Sequence, residues 1–198
     1  AGLIAGIISC KDPSAPAGPS YIGTKAPSRA KDVGDIVFND GSAMPYTAFN
    51  ALSDAQKEAK KASAIAIIFY KGTEVSDNGR SRTLGVGLKH KKGDRVSWCL
   101  ETANGYNIYI ESIKTEPSMW DGKYVFDYDK DGSDNLEQIA QTLGKNDDTN
   151  IADNYPAFYY AKNYASVEGS NIIADTEFEG GWYLPCCAEF NELFYFGQ

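Results

Sequence analysis

The residues best suited to chemistry in this sequence lie in one acidic stretch that begins at Asp127 and ends at Asn135. Oxygen-bearing side chains stand at its positions 1, 3, 5 and 9, and Gly132 stands at position 6. Calcium loops use this spacing because alternate carboxylates can wrap around one hard cation. We therefore predict a calcium site whose ligands are Asp127, Asp129, Asp131 and Asn135.

The same stretch also fits an ordinary surface turn. Position 12 is Gln138, with Glu137 one place too early, so the bidentate ligand of a calcium loop is missing. Residues 124–126 before it are typical of a strand rather than of the helix of an EF-hand. In this interpretation Ser133 or Asp134 caps the helix that follows. The sequence leaves both interpretations open.

Cysteine and histidine offer little catalytic chemistry. For Cys99, Cys186 and Cys187, buried free thiols and a disulfide from Cys99 to one of the adjacent pair are both open. His90 is the single histidine, which excludes a multi-histidine zinc site. It lies in a lysine-rich run typical of an exposed loop, and no G-x-S-x-G elbow accompanies it. Residues 84–87 lack the third glycine of a nucleotide loop. We expect no enzyme activity.

Composition narrows the class of partner. The formal net charge is −8 over 198 residues, and the acidic side chains concentrate in residues 127–153. A chain this acidic is a poor match for nucleic acid or an anionic membrane surface. Tyrosine is abundant, with 13 residues, and its amphipathic ring suits half-buried strands and binding surfaces.

The N-terminal residues resemble the end of a bacterial lipoprotein signal peptide. Residues 1–10 form an apolar run that ends in Ser9-Cys10, a small residue before a cysteine, and the run is too short to span a bilayer. Cys10 is therefore the predicted lipidation site. Residues 11–32 are rich in proline and small residues and are predicted to be a flexible tether. The folded domain is predicted to span residues 33–198.

The elements that would position these groups indicate an α+β domain. Residues 35–38 predict a strand that ends in an Asn-Asp-Gly turn, and residues 64–70 predict a strand buried on both faces. The other predicted elements are a helix over 54–62 capped by Ser53, a hairpin strand over 84–88, strands over 96–100 and 106–110, a strand at 124–126, a helix over 135–143 ended by Gly144, and a helix over 156–165 begun by Pro156.

The C-terminal residues 180–193 are predicted to be the centre of the core. Residues 182–184 predict a short buried strand, and Pro185 ends it and begins a helix. On that helix Phe190, Leu193 and Phe194 share one face by their spacing, while Glu189, Asn191 and Glu192 are predicted to face water. The structural core motif comprises Gly181, Trp182, Leu184, Pro185, Phe190 and Leu193.

This motif, G-W-Y-L-P-x-x-A-E-F-x-E-L, resembles the signature of the C-type-lectin-fold proteins related to formylglycine-generating enzyme, closest to the spirochaete surface-lipoprotein branch. Further segments resemble that branch in the same order: residues 33–42, 64–70, 84–88, 131–139 and 155–158. The resemblance implies a C-type-lectin-like fold and a surface module without catalysis that binds an extracellular protein or glycan.

The resemblance carries further expectations. The family continues past this helix, and its ligand-contacting surface lies there, so the fold is expected to be incomplete at the C-terminus. One alternative function is a formylglycine-generating oxidase, whose copper-binding cysteine pair lies in that later region; Cys186 and Cys187 do not inherit its role. A structural envelope lipoprotein is the other alternative. The expected location is the bacterial cell envelope.

Overall fold

The computed structural model describes residues 20–90, 95–144, 152–167 and 169–197. Residues 1–10, with the predicted lipidation site Cys10, and the first part of the predicted tether lie outside them. The helices and strands in chain order are β1 (Asp35–Phe38), β2 (Ala43–Pro45), α1 (Tyr46–Asn50), α2 (Asp54–Lys61), β3 (Ala64–Gly72), β4 (Arg82–Gly87), β5 (Thr115–Trp120), β6 (Lys123–Tyr128), α3 (Asn135–Leu143), α4 (Pro156–Lys162) and α5 (Cys187–Phe196).

The main sheet has four antiparallel strands in the order β2-β1-β3-β4. Strand β3 is the long apolar run, and its residues are mostly buried because side chains pack on both faces of the sheet. The turn between β1 and β2 follows the predicted signal, with Gly41 at φ 78° and its N–H donating to the Phe38 carbonyl at 2.9 Å. The predicted hairpin partner of β3 is confirmed, since β4 pairs with it from Ala66–Gly87 to Gly72–Arg82.

A second sheet is the two-stranded hairpin of β5 and β6. Asp121 and Gly122 connect its strands with φ of 48° and 76°, as a tight type I′ hairpin turn requires. Most side chains of this hairpin are exposed, while Phe126 packs against the core beside Leu193 of α5. The architecture is therefore mixed, with helices and small antiparallel sheets, and is compatible with the α+β class in general.

Local sequence signals place two of the helices accurately. Ser53 and Gln56 form the predicted reciprocal capping box of α2. Helix α3 ends at Gly144, which adopts the left-handed conformation at φ 63°. Helix α4 begins at Pro156 as predicted but ends at Lys162 rather than at residue 165, and a short 3-10 turn, Tyr164–Ser166, follows it.

Two predicted strands are wrong. Residues 96–100 and 106–110 are irregular rather than strands, with a bend at 98–99 and a turn at 106–107. Of the alternating residues only Ile110 is buried, whereas Tyr106 and Ile108 are exposed. The chain turns here because the Tyr155 hydroxyl accepts a hydrogen bond from the Gly105 N–H at 2.8 Å. A side chain at Gly105 would lie within 2.5 Å of that hydroxyl, so the tertiary contact overrides the local pattern.

The described part of the predicted tether contacts the main sheet. Lys25 pairs as an isolated bridge with Ala43 of β2, and Ile22 packs against the apolar cluster on one face of the sheet. The Lys25 ammonium also contacts the buried Asp35 carboxylate at 2.5 Å. Contacts with the sheet therefore begin before Val33, the predicted start of the domain.

Candidate functional site

The segment of residues 180–185, between the 3-10 turn Asn171–Ile173 and α5, has no regular secondary structure and pairs with no described strand. The strand predicted at residues 182–184 is therefore wrong. Two of its side chains still pack on the core: Trp182 packs against one apolar cluster and Leu184 against another. The Trp182 ring lies 4.2 Å from the Tyr164 ring, and its Nε1 donates to the Phe178 carbonyl at 2.6 Å.

Helix α5 faces the core with a different side from the predicted one. Glu189, predicted to face water, is 1% exposed, whereas Phe190 and Phe194 are each 59% exposed. Leu193 packs at the edge of a cluster as predicted, and Pro185 is exposed. The buried side of the helix carries Ala188, which packs in an apolar cluster, and the Glu189 carboxylate, which pairs with Arg82.

Glu189 is fully satisfied by its hydrogen-bond donors. Its Oε1 accepts from Arg82 Nη1 at 2.8 Å and from the Tyr183 hydroxyl at 2.7 Å. Its Oε2 accepts from the backbone N–H groups of Gly132 and Cys186, both at 3.0 Å. A buried carboxylate is tolerated when it is paired and hydrogen-bonded in this way. Glu189 thus joins β4, the acidic turn and the start of α5.

Arg82 completes this polar cluster. Its Nη1 lies 2.8 Å from Asp131 Oδ1 and donates to the Val75 carbonyl at 2.9 Å, while its Nη2 donates to the Tyr183 hydroxyl at 2.9 Å. Burial raises the pKa of the Tyr183 hydroxyl, and the neighbouring Glu189 adds to that effect. Arg82 is thus paired with both Asp131 and Glu189 inside the fold. The cluster therefore has a structural role, because it links three separate parts of the chain.

The predicted calcium ligands do not converge. Asp131 binds Arg82 and accepts from the Ser133 hydroxyl at 2.6 Å, and Asp129 accepts from Asn135 Nδ2 at 2.9 Å. Asp127 is exposed on β6. Within the described ranges no three histidine, cysteine, aspartate or glutamate side chains gather as a metal site. The calcium prediction is therefore not supported, because Arg82 supplies the positive charge at this turn.

The alternative interpretation as a turn needs one correction. Neither Ser133 nor Asp134 donates or accepts a side-chain cap bond at α3, and Ser133 bonds Asp131 instead. Asp129 is 5% exposed, and its burial raises the pKa of its carboxyl to about 6. The acidic turn therefore holds one carboxylate paired with arginine and one whose charged form is disfavoured.

Cys99, Cys186 and Cys187 form no disulfide with one another, which argues against the predicted bridge from Cys99, and the interpretation as buried thiols holds for Cys186 alone. Cys186 is buried, Cys187 is exposed and Cys99 is half-buried. Burial raises the pKa of the Cys186 thiol to about 12, so at neutral pH it is protonated and a poor nucleophile. His90 is exposed, and residues 84–87 lie within β4. These two predictions are confirmed.

Two clefts lie on either side of the segment of residues 180–184. The first cleft, of about 690 Å³, lies between this segment, α3 and α4. Apolar side chains of Leu136, Phe158 and Leu184 line it together with the polar side chains of Glu137, Gln141 and Lys162. Both polar members of α3 are exposed, and Gln141 Nε2 donates to Glu137 Oε1 at 2.9 Å.

The second cleft, of about 370 Å³, lies between the same segment and the main sheet near β4. Its lining is apolar for the most part and includes Ile68, Gly85, Phe178 and Trp182. Both volumes fall in the range of small-ligand sites in proteins.

Sequence reasoning missed Arg82 and misjudged Glu189. One signal for Glu189 was present: it stands three residues after Cys186, the N-cap of α5, and it forms the reciprocal capping box there. Nothing in the sequence around Arg82 indicates its partner, because Glu189 is 107 positions away.

No family model, no curated protein and no solved structure matches this chain. In the part of the chain that the structure describes, no helix has the length and hydrophobicity to cross a membrane.

Proposed function

We propose that this protein is a binding module of the bacterial cell envelope, anchored by a lipid on Cys10 and built on a C-type-lectin-like fold. Its ligand is an extracellular protein or glycan, and the first cleft receives it. The proposal includes no catalytic step.

The first cleft is the observation that carries the proposal. Ligand sites are concave and mostly apolar, with a few polar groups that fix orientation. The cleft combines an apolar floor at Leu136 and Phe158 with exposed hydrogen-bonding groups at Gln141 and Lys162. These polar side chains come from two helices, α3 and α4, so a ligand between them would be held from two sides.

The lectin-like fold rests on the sequence segments that resemble that family in order. The mixed architecture with small antiparallel sheets is compatible with the α+β class in general. The segment of residues 180–184 also supports a role in binding, since its two glycines separate the clefts and Gly181 adopts φ 85°. Irregular backbone that is held by a scaffold is where binding residues concentrate.

The test measures binding of the full chain to an array of purified glycans and to a panel of extracellular matrix proteins. Lys162→Ala and Gln141→Ala remove polar groups from the rim of the first cleft without touching the core. We expect saturable binding to at least one probe, weakened about tenfold by these substitutions. Lys57→Ala, on the half-buried side of α2 and outside the cleft, is the matched control and should bind as the wild type does.

Binding that neither rim substitution weakens would contradict the use of this cleft, and no saturable binding to any probe would contradict the function.

Lipidation is tested separately. With the chain expressed in a bacterium behind a lipoprotein signal, Cys10→Ser should move the protein from the detergent phase to the aqueous phase.

A further inference from the structure

Gly180 and Gly181 bring bare main chain to the wall of the first cleft. Both residues line it, and because glycine has no side chain, their contribution to the wall is main chain. Among the residues that the structure describes, no partner bonds the N–H or C=O group of either glycine. A Cβ added at Gly180 or Gly181 would meet no atom within 4 Å. This wall therefore presents amide donors and acceptors that are open to a ligand.

Apolar side chains form the floor of the same cleft. They belong to Leu136, Ala140, Phe158 and Leu184. Ala140 and Phe158 are each 5% exposed, so they offer a ligand a small apolar surface that is held in place by the core. Such a floor suits a small apolar group such as a methyl, which gains free energy when it leaves water.

The rim of the cleft carries hydrogen-bonding groups of three kinds. Gln141 Nε2 donates to Glu137 Oε1 at 2.9 Å, which leaves Glu137 Oε2 without a partner in the described part of the chain. The Lys162 ammonium likewise has no partner among the described residues. Because a hydroxyl both donates and accepts hydrogen bonds, a ligand with several hydroxyl groups can use the carboxylate, the amide and the ammonium together.

We propose that the first cleft recognises an acetamido sugar, a ring that carries an N-acetyl group beside its hydroxyls. The acetamido N–H and C=O pair with the main chain of Gly180 and Gly181, and its methyl group packs on the apolar floor. The ring hydroxyls bond the side chains of the rim. This inference rests on the proposed function and names the chemical class of its ligand.

The three parts of the lining favour an acetamido sugar over two related ligands. A sugar with a hydroxyl in place of the acetamido group would leave the apolar floor unfilled and the glycine main chain without an amide partner. A polypeptide would offer amides to Gly180 and Gly181, but its main chain has no hydroxyl groups for the rim. The second cleft is lined by the same two glycines, but its lining does not include the side chains of the rim.

The test compares sugars that differ in the acetamido group alone. The probes are the methyl glycosides of N-acetylglucosamine and N-acetylgalactosamine, and their twins are the methyl glycosides of glucose and galactose. N-acetylglycine N-methylamide, a blocked dipeptide analogue, supplies amide groups without hydroxyls. Each compound is titrated into the full chain, and saturation-transfer NMR reports which of its protons contact the protein.

We expect one or both acetamido sugars to bind at least about tenfold more tightly than the twin and the blocked dipeptide analogue. Saturation transfer should be strongest at the acetamido methyl group. Gly180→Leu places a side chain in the open space beside the bare main chain and should weaken this binding about tenfold. Gly197→Leu, at the exposed end of α5 with φ −79°, is the matched control and should bind as the wild type does.

Equal affinity of each acetamido sugar and its twin, or no saturable binding of either acetamido sugar, would overturn the inference. Equally tight binding of the blocked dipeptide analogue would assign the cleft to polypeptide amides and would overturn it as well. These comparisons use the wild-type protein, so they do not depend on the folding of Gly180→Leu.

Failure of this inference is distinguishable from failure of the proposed function. If the acetamido sugars fail while another glycan or protein binds saturably and Lys162→Ala weakens that binding, the proposed function stands without this inference. If no probe of any kind binds saturably, both are overturned.

Discussion

Arg82 and Glu189 form a buried ion pair with 2.8 Å between Nη1 and Oε1, although 107 positions separate them in the chain. The side chain of Glu189 is 1% exposed and that of Arg82 is 16% exposed. The pair ties the edge strand β4 to the first turn of α5. On the same helix, Phe190 and Phe194 face outward.

The first prediction concerns the stability that depends on this pair. Glu189→Gln should lower the free energy of unfolding by about 3 kcal/mol, because it leaves Arg82 short of a buried counter-charge. Arg82→Met should cost a similar amount. The double variant should be less destabilised than the sum of the two, since each single variant leaves one member of the Arg82–Glu189 pair without the other and the double variant does not. Urea denaturation of the four proteins measures this coupling.

The exposed pair Lys61–Glu58 is the matched control for the first prediction. Its side chains are 58% and 70% exposed, so Glu58→Gln should change the free energy of unfolding by less than about 1 kcal/mol. Equal effects of Glu58→Gln and Glu189→Gln would show that the buried network does not contribute as described.

The second prediction concerns close backbone packing at Gly132. A Cβ there would lie 2.5 Å from the Cys186 N, 2.7 Å from the Leu184 carbonyl oxygen and 2.8 Å from Glu189 Oε2. Gly132→Ala should therefore destabilise the protein by about 2 kcal/mol or more. Gly180→Ala, which meets no atom within 4 Å, should be close to neutral. A small effect of Gly132→Ala in thermal melting would argue against this contact.

The third prediction concerns the pH dependence of stability at Asp129. Its pKa is raised from 3.8 to about 6 by burial, so between these values the folded state holds a proton that the unfolded state has lost. Stability from this group is therefore present at low pH and is lost as pH rises through about 6. At pH 7 the buried, ionised carboxylate lowers the free energy of unfolding by about 2–3 kcal/mol relative to a carboxyl whose pKa is not shifted.

Asp129→Asn removes this titration and keeps an oxygen that can accept from Asn135 Nδ2. The variant should melt at a higher temperature than the wild type at pH 7, with the difference shrinking toward pH 4. Melting curves of both proteins across this range measure the effect. A constant difference at every pH would mean that Asp129 does not titrate as its burial indicates.

The fourth prediction concerns the adjacent thiols. Cys187 is exposed and should react with iodoacetamide in the native protein, whereas the buried Cys186, with a pKa of about 12, should react after unfolding. Peptide mapping by mass spectrometry, with and without urea, distinguishes the two positions. Equal labelling of both in the native state would contradict the buried position of Cys186.

Local sequence signals were sufficient to predict the elements whose conformation depends on a few neighbouring residues. The capping box at Ser53, the glycine that ends α3 and the apolar run of β3 were all predicted from the sequence, because caps, turns and strand burial depend on neighbouring residues. Strand β5 was missed because Pro117 and polar residues interrupt any alternation, which an edge strand tolerates.

The candidate site was less predictable. Asp129, Asp131 and Asn135 have the spacing of calcium ligands, yet their partners are Arg82 and one another. The spacing of oxygen-bearing residues indicates whether they could surround one cation. It gives no information about Arg82, the cationic side chain from a distant part of the chain that pairs with Asp131. The clefts were equally hidden, since each one has walls from several separate parts of the chain.

The sequence by itself determined the order and limits of the strands and helices with strong local signals, but it left the state of the thiols open. The tertiary structure alone decided which side of α5 is buried. Helix α5 carries apolar and acidic residues all around it, so its sequence alone does not indicate which side is buried. In the structure Glu189 on the buried side pairs with Arg82, which lies on the edge strand β4. Glu189 is therefore buried against Arg82, while the rings of Phe190 and Phe194 stay exposed.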